Sequence, residues 1–136
     1  MFRVSRRRAN KRRGTAVIET AVAIPAIALL VFGSIEAANS VFVKQALTSA
    51  AFEAASAASK SGASDAAVRA HCEQVLDARG ITERTIDITP IVEPNMDGGT
   101  VFTITVAAPA SSLSIGTSWL FRGQWLEVKS YSVRIN

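Results

Sequence analysis

The sequence predicts an α+β protein with a long N-terminal helix that crosses a membrane once, a second helix, and a small three-stranded antiparallel sheet. Three observations carry that expectation. A basic stretch is followed by an apolar run from Thr15 to Ile35. From Glu36 to Ser59 the chain is rich in alanine and free of glycine and proline. Past Gly80 the pattern changes to alternating β-branched and polar residues, the period of a half-buried strand. At 136 residues there is room for one small soluble domain beside the membrane segment. The expected divisions are a basic cytoplasmic leader over 1–14, a transmembrane helix over 15–35, and an extracytoplasmic domain over 36–136.

The apolar run is 21 residues long, about 31 Å of helix and enough for a bilayer core. Pro25 is tolerated there because neighbouring helices can satisfy the freed backbone groups, and it predicts a kink. The helix is expected to continue to Ser59, with Val43, Leu47, Ala50 or Ala51, and Ala54 on its apolar face. Its small residues would let another helix approach closely. Lys60 to Ser64 breaks it. Ser64 is placed to cap a second helix, Asp65 to Arg79, which Gly80 ends. Strands are expected at Thr85 to Val92, Thr100 to Ala107 and Leu126 to Ile135, with a turn over Pro94 to Gly99. In the third strand the apolar phase shifts from Leu126 and Val128 to Tyr131, Val133 and Ile135, which predicts a bulge near Ser130.

Charge narrows the function. The chain holds 15 Lys and Arg against 11 Asp and Glu. Seven of the basic residues lie in the first fourteen positions (Arg3, Arg6, Arg7, Arg8, Lys11, Arg12 and Arg13), so eight basic and eleven acidic remain, a net charge of −3. The high isoelectric point therefore belongs to a short tail without interleaved aromatics, and no nucleic-acid partner is expected. Arginines flanking a first apolar helix hold that end in the cytoplasm, which puts everything after Glu36 on the far side.

Cys72 is the single cysteine; it shares a helix face with Val68, Val75 and Leu76 and is expected to be a small buried hydrophobe, with a reactive thiol or intermolecular link as the rival reading. His71 beside it points about 100° away, so the two form no catalytic dyad. No phosphate loop, metal-ligand cluster or nucleophile–base pair is present, and neither a cofactor nor an enzyme is expected. Between the second and third strands, Trp119, Phe121 and Trp125 place three of the chain's nine aromatics in seventeen residues. They either close the core or form a patch facing a partner or the membrane interface.

The sharpest feature is Glu19, a carboxylate five residues after Gly14 and inside the apolar helix. Insertion of such a charge costs roughly 2.5–3.5 kcal/mol, which marks it as a functional candidate. Arg12, Arg13, Gly14, Glu19, Pro25, Gly33 and Glu36 together resemble the TadE-like family of pseudopilins of the tight-adherence (Tad/Flp) pilus. The close match spans about residues 12 to 36, and the remainder agrees in layout. One position departs: Thr20 follows Glu19 where many members carry an aromatic. The resemblance implies a pilin-like fold and a bacterial inner-membrane protein acting in pilus assembly, surface adhesion and biofilm formation. It further implies cleavage between Gly14 and Thr15 by a prepilin peptidase, with other pilins and Tad assembly proteins as partners. Cleavage would leave Thr15 with a cationic α-amine that Glu19 of a neighbouring subunit could pair, answering two costly buried groups together. The alternative for Glu19 is a solvated place among headgroups.

Two other readings stand beside this one. A single-pass anchored binding protein unrelated to pili accounts for the membrane helix. A secreted protein with a cleaved signal fits less well, since cutting after Ala37 or Ala38 puts Ile35 or Glu36 where a small residue is needed.

Overall fold

The computed structural model describes residues 7–113 and 123–135, with side chains from residue 14 onward. Helix α1 spans Arg7–Ser59, α2 spans Asp65–Ala78, and the strands are β1 Thr85–Thr89, β2 Val101–Pro109 and β3 Trp125–Val133. The expected α+β arrangement is borne out. Helix α1 begins eight residues earlier than the sequence suggested, because Arg, Lys and Ala are good helix formers and a single Gly14 costs only about 1 kcal/mol. The chain divides into two compact units, Met1–Ile35 and Glu36–Asn136.

In the second unit the alanines of α1 make the core. Val43, Ala46, Leu47, Ala50, Ala51, Ala54, Ala55 and Ala58 are buried in one cluster with Val68, Cys72 and Leu76 of α2 and Phe102, Ile104 and Val106 of β2. The small-residue face is therefore used inside the unit.

Helix α2 is bounded as its sequence dictates. The Ser64 side chain accepts from the Ala67 N–H at 3.3 Å. At the other end Gly80 takes φ +72°, and the N–H groups of Gly80 and Ile81 donate to the carbonyls of Asp77 and Leu76. This is a Schellman ending, completed by burial of both Leu76 and Ile81. An alanine at position 80 would have to adopt the left-handed backbone at a cost of about 1 kcal/mol.

The sheet has the order β1-β2-β3, antiparallel throughout. Strand β1 stops at Thr89, three residues short of expectation, because Pro90 has no N–H to continue the ladder. The expected bulge near Ser130 is absent: β2 and β3 pair one to one from Val101↔Val133 to Pro109↔Trp125. Period-two alternation therefore turns Leu126, Val128, Ser130 and Ser132 inward and leaves Trp125, Tyr131 and Val133 exposed. Serines are admitted on the inner face because α1 lies close. The Ser132 hydroxyl donates to the Ala55 carbonyl at 2.6 Å, replacing the water it lost.

Arg134 closes the unit. It is buried, and its guanidinium donates to the carbonyls of Ala58 (3.1 Å), Glu93 (3.0 Å) and Pro94 (2.9 Å). Ala58 lies in the last turn of α1, where unpaired carbonyls present partial negative charge that favours a cation. Beside it, the Ile135 N–H donates to Ser59 and the Arg134 N–H to Thr100. Replacing Arg134 with Met keeps the apolar stem and orphans three carbonyls. The expected loss is about 3 kcal/mol, read as a lower urea midpoint for the full chain in detergent; a loss below about 1 kcal/mol would show that water replaces the guanidinium.

Candidate assembly site on the N-terminal helix

From Gly14 to Ile35, α1 turns apolar side chains outward on every side. Val17, Ile18, Val22, Ile24, Ile27, Leu29, Leu30, Val31, Phe32 and Ile35 are all exposed. At roughly 1.5–3 kcal/mol for full burial of each such side chain, leaving ten of them in water forfeits on the order of 10 kcal/mol, the stability of a whole domain. A lipid environment removes that cost. The helix is long and apolar enough to cross a bilayer, with a mean hydropathy of 2.2 over an 18-residue stretch, and it fits a single-pass membrane anchor.

Its polar groups are handled locally. The Thr20 hydroxyl donates to the Ala16 carbonyl at 2.8 Å and the Ser34 hydroxyl to Leu30 at 2.7 Å. Neither hydroxyl meets lipid unpaired. Helix α1 continues through Pro25, which lacks the N–H that would pair with the Ala21 carbonyl.

The residues singled out in the sequence fall into separate places. Gly14 and Thr15 lie within the helix, so their peptide bond is held in helical backbone, and both residues are exposed. Glu19 is exposed one turn further on. Among the described residues, a Cβ added at Gly14 or Gly33 would meet nothing within 4 Å, so no close approach there calls for either glycine. Glu36 behaves differently: it is only 4 % exposed and makes a polar interaction, while its backbone carbonyl accepts from Ser40. Trp125 opens β3 and is 49 % exposed. Arg3, Arg6, Trp119 and Phe121 lie outside the described residues.

Cys72 is fully buried among α1 and α2 side chains, and desolvation pushes its thiol up to about 11. His71 instead faces Glu53 at 3.5 Å on the surface. Among the described residues no cluster of three or more His, Cys, Asp or Glu side chains is arranged to hold a metal.

The family model described as TadE-like protein matches residues 14–56, which bears out over that segment the resemblance drawn from the sequence. No significant match was found among curated proteins or among solved structures.

The burial of Cys72 sets a pH dependence. The folded thiol ionises at about 11 and the unfolded thiol near 9, so the unfolded state releases its proton first. This contribution to stability is complete below pH 9 and is lost as pH rises to about 11, a change of up to about 3 kcal/mol. Replacing Cys72 with Ala should flatten the urea midpoint over that pH window. In the folded wild type the thiol should resist a maleimide at pH 7.5 until denaturant is added, and prompt labelling would contradict its burial.

Proposed function

We propose that the chain is a membrane-anchored pseudopilin, a minor pilin-like subunit acting in assembly of a Tad-type pilus for surface adhesion. In this reading it sits in the bacterial inner membrane with its N-terminus cytoplasmic and residues 36–136 extracytoplasmic. The observation that carries the reading is the match to the TadE-like family over the segment that holds Gly14, Glu19, Pro25, Gly33 and Glu36.

Physical features of that segment support it. Gly14 and Gly33 each cost helix stability of about 1 kcal/mol, and no close packing among the described residues explains them. Their use then lies with another molecule: a peptidase at Gly14, a close-approaching helix at Gly33. Glu19 is exposed on an apolar helix, where an unanswered carboxylate is costly. Cleavage after Gly14 would create a cationic partner for it on the Thr15 amine of a neighbouring subunit. The protein's work is assembly, and its one chemical event is to be the substrate of a prepilin peptidase.

Intact mass and N-terminal sequencing of the protein from host membranes, with and without the peptidase, test the processing step. A peptidase-dependent start at Thr15 is expected, and a Met1 start in both samples would overturn it. Glu19→Gln should lower surface piliation at least about tenfold, the equivalent of ~1.4 kcal/mol per assembly contact, while the amount in the membrane fraction stays constant. Unchanged piliation would return Glu19 to the headgroup layer.

A further inference from the structure

The sheet of the second unit has two unlike edges. Strand β1 is five residues long, Pro90 follows it, and the Arg69 guanidinium occupies its Ile86 carbonyl. Strand β3 is nine residues long, and among the described residues no strand lies on its other side.

The hydrogen bonds fix which backbone groups of β3 face that open side. The Ala110 N–H donates to the Gln124 carbonyl, and the Arg134 N–H donates to the Thr100 carbonyl. With one-to-one pairing between these points, the even-numbered residues of β3 turn their backbone groups to β2. The odd-numbered ones, Trp125, Glu127, Lys129, Tyr131 and Val133, turn theirs outward. Next in that series, the Ile135 N–H donates to Ser59, so the open stretch ends at Val133. An open row of this kind is a template for another strand.

The side chains on the stretch select which strand. Trp125, Glu127, Lys129 and Tyr131 share the outer face of the sheet and are exposed. Their order (aromatic, acid, base, aromatic) is self-complementary when read against itself in the antiparallel sense. A second β3, related by a two-fold axis at Val128, puts Glu127 opposite the second copy's Lys129 and Trp125 opposite its Tyr131. All these facing residues are odd-numbered, so their outward backbone groups meet, giving about eight hydrogen bonds at two for each of four pairs. On the inner face Leu126, Val128 and Ser130 are only half-buried, and the same register covers them: Val128 meets Val128, and Leu126 meets Ser130. Opposite charges and aromatic pairs directly across strands are favourable, and like charges there are unfavourable. Moving the axis by one residue, to Glu127 or Lys129, puts that charge opposite itself. The Glu127–Lys129 ion pair at 3.1 Å therefore guards the edge against the neighbouring registers and leaves this one open.

We propose that β3 pairs antiparallel with the β3 of a second copy of this chain about a two-fold axis at Val128, joining two three-stranded sheets into one continuous sheet. The proposal rests on the second unit alone and is independent of membrane anchorage and of pilus assembly.

The test is oxidative cross-linking of the purified full chain in mild detergent. Val128→Cys places two thiols across a non-hydrogen-bonded pair, where Cα atoms stand about 4.5 Å apart, within disulfide reach. It should yield mostly linked dimer. Ser130→Cys, about 13 Å from its counterpart in this register, and Lys60→Cys, at an exposed position outside the sheet, should each link at least about tenfold less. The unaltered chain, whose one thiol is buried, supplies the blank. In the Val128→Cys chain, Glu127→Lys or Lys129→Glu alone opposes like charges and should cut linking about tenfold. Both side chains are half exposed, so these changes spare the fold, which an unchanged urea midpoint checks. Carrying both changes together, or mixing the two single variants, should restore linking. Absence of linking at Val128, linking at Ser130 or Lys60 to the same extent, or linking that ignores the charge exchange overturns the proposal.

Discussion

The contact on which the second unit depends is the close approach of β3 to the alanine face of α1. Ser132 can donate directly to the Ala55 backbone carbonyl only where the helix presents no side chain larger than a methyl. Close approach also trades away transfer energy, since an alanine buries far less apolar area than a leucine. The unit compensates with a dense β2 face, where Phe102, Ile104, Val106 and Ala108 are all buried, and with polar clasps across the approach. The Arg134 guanidinium is the strongest of these, because it answers helix-end carbonyls that would otherwise need water.

The same geometry distributes the sheet edges. Strand β1 is short, ends at a proline, and has its Ile86 carbonyl occupied by the Arg69 guanidinium at 2.7 Å. Arg69 is itself held by Asp65 at 2.8 Å, so α2 occupies one carbonyl of this edge strand. Strand β3 is longer and carries the exposed Glu127–Lys129 ion pair at mid-strand, and the hydrogen bond to Glu127 holds the Lys129 ammonium above its ordinary value. Charges placed mid-strand are a common guard against edge-to-edge association.

Local chemistry was legible in the sequence, and long-range chemistry was not. The Ser64 cap, the Gly80 ending and the burial of Cys72 follow from neighbouring residues. The third strand misled because Tyr131, Val133 and Ile135 are more apolar than Ser130 and Ser132, and apolarity alone assigns the first set inward. What reversed it was the alanine face 75 or more residues earlier in the chain, which gives small hydroxylated side chains a place to donate. Arg134 was invisible for the same reason, since its acceptors lie at 58, 93 and 94. At the candidate assembly site the reverse holds: Gly14 and Glu19 stood out in sequence because they break the local rules of an apolar helix.

Two of the three carboxylates of α1, Glu19 and Glu36, sit in opposite surroundings. Glu36 is buried and engaged in an interaction within the chain. Glu19 is exposed on a segment whose apolar surface is itself uncovered, and it makes no hydrogen bond or ion pair with the described residues. Substituting Glu36 therefore removes a buried group of the second unit. Substituting Glu19 removes nothing that the chain's own described structure uses. A carboxylate on an apolar helix costs energy to insert and Glu19 serves no described contact of its own fold, so its substitution separates the proposed assembly role from folding more cleanly than that of any other residue singled out on the helix.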